Sequence, residues 1–191
     1  LAGKEVEIPK FDFKEGRRVF NGNFMKLHEK DILIMEGIHA LNPAMIPGVD
    51  SSKVFRVYAS ALTSLSLDEN NNISTSDNRL LRRMLRDSKY RGYSAIETIR
   101  RWPDVRKGEE EWIFPFQENA DVMFNSSLFY ELAVFKTQAE TILRAVPQNI
   151  KEYSEAQRLL RFLDYIVPLP SDELPPTSVV REFLGGSSFK Y

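Results

Sequence analysis

The chain has 191 residues, with 26 Lys and Arg against 27 Asp and Glu, and therefore a formal charge of -1. Hydrophobic residues make up 42% and charged residues 28%, which is typical of a globular protein and excludes a disordered polyampholyte. The absence of Cys excludes disulfide scaffolds, thiolate zinc sites, iron–sulfur clusters and cysteine nucleophiles. No apolar run approaches the roughly 20 residues that span a bilayer. We therefore expect a cytoplasmic protein without membrane contact.

The first residues suggest how the chain is organised. The sequence begins at Leu1 without Met and enters a polar, charged segment directly. Because this start is typical of the middle of a polypeptide, we expect the 191 residues to be a piece of a longer protein. Residues 1–150 are expected to form part of one domain, and residues 151–191 a helical, proline-rich tail.

Two segments near the start of the chain are predicted to be extended structure or a buried strand, with a turn between them. Residues 5–13 alternate polar and apolar side chains, and Asn21–Gly22 is a hairpin-type turn. Residues 31–38 form a continuous apolar run rich in branched side chains, which favours a strand buried on both faces of a parallel sheet.

Two further strands are predicted at residues 54–60 and 120–124. Three buried strands are few for a complete sheet, so we expect the first strands to lie before Leu1. Strands that alternate with helices indicate an α/β fold, with a parallel sheet flanked by helices.

The helices are predicted from apolar spacing and capping residues. Asp77 is predicted to cap a helix that runs to about residue 88. Ser94 is predicted to cap the next helix, with Glu97 in a capping box and an end at Trp102–Pro103. Three more helices are predicted at residues 130–145, 152–166 and 177–184, the last of them stopped by Gly185–Gly186.

The charge is unevenly distributed. Residues 79–107 contain ten basic and three acidic residues, a net charge of +7, which indicates a bound anion. Arg83, Arg86 and Arg91 are spaced to converge on one polyanion, and the planar guanidinium suits phosphate. Two alternatives remain: a nucleic-acid-binding face, and a solvated helix face, although four arginines without a lysine in the helix body disfavour the second.

Glu36 is a carboxylate at the carboxyl end of the predicted strand 31–38. Open α/β sheets bind their ligands at that edge, and a carboxylate there can hold a metal ion or orient a metal-bound water. The alternative is that Glu36 caps nearby backbone amides, and the position alone favours neither interpretation.

Other polar residues are candidates for binding small molecules. Asp12, between two aromatic residues, could line a substrate pocket or simply point outward from an alternating strand. Ser126 and Ser127 follow the strand at 120–124 and could bind a nucleotide or cap the next helix. A glycine-rich Gly-x-x-x-x-Gly-Lys phosphate loop is absent from the 191 residues.

Four stretches together resemble the uridine kinase / phosphoribulokinase family of P-loop kinases. They are residues 8–13, residues 31–39, residues 77–87 with Arg91–Gly92, and residues 120–125. The segment 179–189 is similar to the end of a bacterial subgroup in which a threonyl-tRNA-synthetase-like segment precedes the kinase domain.

The resemblance implies the carboxyl-terminal portion of a kinase domain that transfers phosphate from ATP, with Mg²⁺, to the 5′-hydroxyl of a nucleoside such as uridine or cytidine. The fold would be part of a P-loop NTPase sheet, with an arginine-bearing helical lid and a helical tail. Glu36 would coordinate Mg²⁺, and Arg83, Arg86 and Arg91, here called the lid arginines, would close over the phosphates. The phosphate loop and the general base would belong to an upstream segment of the same polypeptide.

The predicted nucleoside pocket comprises Phe11, Asp12, Phe13 and Tyr93. Family members selective for uridine and cytidine have Tyr at the place of Phe11, His at the place of Gly16, and an arginine at the place of Tyr93. A site without these donors should discriminate less between bases. A different small hydroxyl substrate is therefore the alternative acceptor.

Two non-catalytic hypotheses stand beside the kinase. The +7 segment could bind RNA in a salt-sensitive way. The tail from Glu152 to Tyr191 could bind a partner or a second copy of the chain, giving a homo-oligomer.

Overall fold

The computed structural model describes residues 3–12, 15, 17–63, 65–66, 69 and 72–189. The chain forms two compact units, residues 1–40 and residues 41–191. The second unit contains helices and a small parallel sheet, so the predicted α/β class is confirmed. Within the described residues, no helix is both long and apolar enough to cross a membrane.

The described residues of the first unit form four short strands. They are β1 (Val6–Glu7), β2 (Lys10–Asp12), β3 (Arg17–Val19) and β4 (Phe24–Met25). β1 pairs with β4 and β2 pairs with β3, both in antiparallel fashion. The predicted hairpin at Asn21–Gly22 is wrong, because this turn joins β3 to β4, which pair with different strands. The turn is instead held by Gly22, whose N–H donates to Glu7 Oε1 at 2.8 Å.

The buried strand predicted at residues 31–38 is wrong. Residues 31–36 lie in no strand, and Ile32 and Ile34 are 88% and 87% exposed. A strand needs a hydrogen-bonded neighbour, and the described strands of this unit already pair among themselves. The segment is therefore apolar enough for a strand, but it pairs with none of the described strands.

In the described part of the second unit, the parallel sheet has two strands, β5 (Val57–Ser60) and β6 (Val122–Asn125). Their register places Val57 beside Val122 and Ser60 beside Asn125. Both strands lie where the sequence predicts them, but within them only Tyr58 is buried. The expected burial of these two strands is wrong, because two strands alone expose an edge each and leave much of their surface uncovered.

Helix α1 (Thr75–Arg86) begins at Ser74, whose side chain accepts the Ser76 N–H at 3.2 Å. The predicted cap, Asp77, is wrong: it lies inside the helix and instead accepts hydrogen bonds from Arg158. One π-helical turn, Asp87–Arg91, follows α1 and ends at Gly92, which has a φ of +69°. This left-handed glycine produces the predicted break after Arg91.

Helix α2 (Ala95–Trp112) starts with the predicted capping box, in which Ser94 and Glu97 satisfy each other's backbone N–H groups. Its predicted end at Pro103 is wrong, since the helix continues for nine residues beyond it. A proline removes one backbone hydrogen bond from a helix. Here Glu109 compensates, because its buried carboxylate binds both terminal nitrogens of Arg79 and fastens the second half of α2 to α1. A 3₁₀ turn, Phe114–Asn119, then leads to β6.

Three helices complete the unit: α3 (Glu131–Arg144), α4 (Glu152–Asp164) and α5 (Arg181–Leu184). The first two confirm the predicted helices, and α5 is shorter than the predicted helix at 177–184. The predicted stop at Gly185 is confirmed, with a φ of +87°. The core lies between α1, α3, α4 and α5, and its largest fully buried apolar side chains are Phe135, Leu80, Leu81, Met84, Leu132, Leu143, Leu159 and Leu163. Burial of each such side chain stabilises the folded state by about 1.5–3 kcal/mol.

Candidate functional site

The positive charge of residues 79–107 is largely compensated inside the second unit. Among the described residues, five carboxylates from outside the segment form ion pairs with arginines inside it: Glu109, Glu110, Glu131, Glu152 and Glu182. They lower the net charge of this group of side chains from +7 to +2. The segment is therefore a framework of ion pairs rather than a continuous cationic face.

Two of the lid arginines share one carboxylate. Asp87 Oδ2 accepts from Arg83 Nε at 3.2 Å, and Asp87 Oδ1 accepts from Arg91 Nη1 at 2.9 Å. Asp87 is 2% exposed, whereas the side chains of Arg83 and Arg91 are 33% and 44% exposed. The structure thus brings two of the predicted residues together, with fixed positions and with access to solvent.

The third lid arginine is held by the tail. Arg86 Nη1 lies 2.9 Å from Glu182 Oε1 in α5. Nearby, Lys89 Nζ donates to the carbonyl of Leu184, the last residue of α5. Arg86 therefore lies on the same helix as Arg83, but a different carboxylate determines its position.

Arg82 has a structural role. It is 9% exposed and forms an ion pair with the buried carboxylate of Glu131. Its guanidinium also donates to the Ser126 carbonyl at 2.8 Å and lies 5.2 Å from the ring centroid of Phe183. These contacts tie α1 to the start of α3 and leave Arg82 inside the fold.

Ser126 and Ser127 lie at the carboxyl end of β6, as predicted. Ser126 Oγ accepts from Arg82 Nη1 at 3.2 Å, and Ser127 Oγ donates to Glu131 Oε1 at 3.4 Å. Neither side chain caps α3, whose N-cap residue is Tyr130. Both hydroxyls take part in the polar network around Glu131.

Tyr93 lies against a further arginine. The guanidinium carbon of Arg101 is 4.4 Å from the Tyr93 ring centroid, a cation–π distance. A hydrogen bond with the Tyr93 side chain is the main cause that raises the pKa of Arg101 above its usual value. The Tyr93 N–H donates to the Asp87 carbonyl at 3.2 Å, so this predicted pocket residue adjoins the Arg83–Arg91 pair.

The predicted metal ligand, Glu36, lies in the first unit. It is exposed and follows the irregular segment 31–35, so the buried strand end expected for it is not observed. Among the described residues, no cluster of three or more His, Asp or Glu side chains could hold a metal ion by itself. Mg²⁺ is commonly held by one or two carboxylates together with substrate phosphates and water, a requirement that one exposed carboxylate fits.

The predicted nucleoside pocket is described in part. Phe11 lies in β2, opposite Arg18 of β3, whereas Phe13 and Gly16 lie outside the described residues. Asp12 is half-buried, and its Oδ1 accepts from the Glu15 N–H at 3.1 Å.

The sequence reasoning did not identify Asp87, Glu131 or Glu182 as partners of the arginines. A local signal existed for Asp87, which lies four residues from both Arg83 and Arg91, the spacing of neighbours on a helix face. Glu131 and Glu182 are 49 and 96 residues away from Arg82 and Arg86, so only the fold could reveal them.

Comparison with known proteins identifies the family. The sequence profile of the Phosphoribulokinase / Uridine kinase family matches residues 1–131, more than half of the chain. The chain belongs to this family. Proteins named uridine kinase from Staphylococcus epidermidis and Staphylococcus aureus are 29% identical over 122 residues, which are 63% of this chain and 50% of each relative. The chain thus spans about half the length of the relatives it matches. No solved structure matches the chain significantly.

Proposed function

We propose that this chain is part of an ATP-dependent kinase that phosphorylates the 5′-hydroxyl of a uridine- or cytidine-like nucleoside. The membership of residues 1–131 in the family supports a phosphotransferase. The observation that carries the proposal is the Arg83–Asp87–Arg91 cluster, because it holds two guanidinium groups in fixed positions at the protein surface. Fixed cations are what a phosphoryl group needs when charge spreads over its oxygens.

The lid arginines bind the phosphates in this proposal. Each guanidinium uses one nitrogen in its ion pair, Nε of Arg83, Nη1 of Arg86 and Nη1 of Arg91, and keeps further N–H donors. Phosphate oxygens accept such donors in a planar, two-pronged arrangement. The three side chains are 33–44% exposed, which allows a ligand to reach them.

Glu36 is proposed as the carboxylate that holds Mg²⁺ together with the nucleotide. The ion, when bound, would bridge phosphate oxygens and neutralise their charge. Ser126 and Ser127 are proposed to contact the nucleotide beside the carboxyl end of β6. The phosphate loop and the general base are proposed to come from a segment outside these 191 residues, which contain no Gly-x-x-x-x-Gly-Lys sequence.

Phe11, Asp12, Phe13 and Tyr93 are proposed to line the acceptor pocket. A phenylalanine at position 11 offers no hydroxyl donor to a base, and Gly16 offers no side chain. Loss of such donors weakens discrimination for one base. We therefore propose broader acceptor use, including other small hydroxyl compounds.

The test is an ADP-release assay on the full-length gene product with uridine, cytidine, purine nucleosides, pantothenate and sugars as acceptors. We expect acceptor-dependent ADP release with at least one nucleoside and its loss in Glu36→Gln. Glu29→Gln is the matched control, since it makes the same change at another exposed carboxylate of the first unit. The 191-residue chain assayed alone is expected to be inactive.

Three outcomes of this assay distinguish a nucleoside kinase from a kinase of another acceptor and from a protein without kinase activity. Turnover with a nucleoside that survives Glu29→Gln but not Glu36→Gln supports the proposal. Turnover confined to pantothenate or a sugar would replace the nucleoside by that acceptor. If none of the acceptors in the panel gave acceptor-dependent ADP release, that result would contradict the kinase proposal itself.

A further inference from the structure

Asp87 lies where three structural segments meet. Its Oδ2 accepts from Arg83 Nε of α1 and from Thr98 Oγ1 of α2, both at 3.2 Å. Its Oδ1 accepts from Arg91 Nη1 at 2.9 Å, at the end of the π-helical turn. A single carboxylate, 2% exposed, thus joins both helices and the turn between them.

The backbone of Asp87 reinforces the same point. Its N–H donates to the carbonyls of Arg83 and Met84, and its own carbonyl accepts from the N–H groups of Gly92 and Tyr93. π-helical turns are rare and frequently occur at functional sites. Although α1 has already ended, this turn places the side chain of Arg91 within hydrogen-bonding distance of Asp87.

Electrostatics alone does not explain a carboxylate at this place. Arg83, Arg91 and Asp87 together carry a charge of +1, whereas the two arginines alone would carry +2. If the arginines bind phosphate, Asp87 lowers the attraction for that anion. Its benefit must then lie in geometry, because a buried carboxylate fixes the direction of both guanidinium groups before the ligand arrives.

We propose that Asp87 is the positioning residue for Arg83 and Arg91 during phosphoryl transfer. The inference rests on the proposed kinase function and adds a residue to it. In this proposal Asp87 acts through the arginines, because its carboxylate is 2% exposed and already accepts hydrogen bonds from both of them. Thr98, 1% exposed, orients the carboxylate from α2.

The first test is Asp87→Asn in the full-length gene product, assayed with MgATP and its best acceptor. Asparagine keeps the side-chain volume and removes the charge. We expect kcat to fall roughly ten- to a hundredfold, because the arginines lose their fixed direction. The KM for MgATP should stay the same or fall, because the site gains positive charge. A merely structural role would not separate the two constants in this way.

Glu152→Gln is the matched control. Glu152 is also buried, and its Oε1 accepts from Arg100 Nε at 3.0 Å, an arginine outside the lid. We expect kcat and KM within about twofold of the wild type, in line with a pair remote from the chemistry. Asp87→Asn constants that match those of Glu152→Gln or of the wild type would overturn the proposal.

Two further measurements keep the proposal testable if Asp87→Asn fails to fold or if the enzyme shows no turnover. Thr98→Val removes one buried hydrogen bond to Asp87 without changing a charge. It should lower kcat about threefold and stability by about 1 kcal/mol, so that the variant still folds. An unchanged kcat in a folded Thr98→Val variant would count against the proposal.

The second measurement is ¹⁵N NMR of the arginine Nε–H groups, which does not depend on turnover. The Arg83 signal should lose order in Asp87→Asn and keep it in Glu152→Gln. An equally ordered Arg83 in both variants would overturn the positioning role. A different result would separate the two proposals. If the wild type transferred no phosphate, but Arg83 still lost order in Asp87→Asn, the proposed function and the catalytic role of Asp87 would be refuted, while its contact with Arg83 would stand.

Discussion

Arg86 and Arg106 have similar surroundings but different expected roles. Both are helix arginines with one ion pair each, to Glu182 at 2.9 Å and to Glu110 at 3.2 Å, and their side chains are 42% and 38% exposed. Burial and pairing therefore do not tell a ligand-binding arginine from a solvated one. At the scale of single residues, the distinction depends on position next to the Arg83–Asp87–Arg91 cluster.

Arg86→Gln should lower kcat by roughly a hundredfold or more, because an arginine that stabilises phosphoryl transfer contributes on this scale. Arg106→Gln should leave kcat within about twofold of the wild type. Steady-state kinetics of both variants in the full-length gene product measure the difference. Equal effects of the two substitutions would contradict the assignment of Arg86 to the lid.

The elements show why some parts of the fold could be predicted. Capping and glycine signals act within a few residues, so the Ser94 capping box and the break at Gly92 were correct. The length of α2 was not predictable, because the ion pair that sustains it joins Arg79 and Glu109 across two helices. The strand predicted at 31–38 failed for a related reason: its composition favours a sheet, but a strand also needs a hydrogen-bonded neighbour, which the segment itself cannot supply.

The tail helix α5 is expected to stabilise the second unit. Phe183 is 7% exposed, and its ring lies edge-on to that of Phe135 at 5.6 Å. Phe183→Ala should lower the free energy of unfolding by about 3 kcal/mol, because it opens a cavity in the core. Phe189→Ala, at a ring 57% exposed, should cost less than about 0.5 kcal/mol. Urea denaturation of the two variants measures both values, and similar costs would show that α5 does not pack as described.

Two glycines should respond in opposite directions to alanine. Gly108 lies inside α2, and a Cβ there meets no atom within 4 Å, so Gly108→Ala should stabilise by about 0.5–1 kcal/mol. Gly92 has a φ of +69°, so Gly92→Ala should destabilise by about 1–2 kcal/mol despite equally open space. Thermal or urea unfolding decides the signs. Stabilisation by Gly92→Ala would mean that the turn after Arg91 is not left-handed.

At the scale of the whole molecule, the α/β class and the family were predictable, whereas the electrostatic organisation was not. Net charge along the sequence predicted a cationic segment, yet the fold supplies carboxylates such as Glu131 and Glu152 from distant helices. Within the candidate site, the spacing of the arginines predicts that they converge, and Arg83 and Arg91 do share Asp87, whereas Arg86 pairs with Glu182. Net charge alone does not predict the role of Asp87, because it registers that residue only as an opposing charge.

The ion pairing within residues 79–107 argues against the RNA-binding hypothesis. With ion pairs on most of its arginines, the segment 79–107 should release few counterions on binding a nucleic acid. We expect no retention of single-stranded RNA by the 191-residue chain at low salt in a filter-binding assay. Strong binding that weakens steeply with added salt would contradict this expectation and favour the RNA-binding hypothesis.

The most direct measurement follows the phosphate itself. The full-length gene product would be incubated with MgATP and uridine, and the products followed by ³¹P NMR. We predict a new phosphomonoester signal coupled to the two 5′-methylene protons, growing in step with ADP. Inorganic phosphate as the sole new product, or an unchanged spectrum with uridine and with every other hydroxyl acceptor tried, would contradict phosphoryl transfer by this protein.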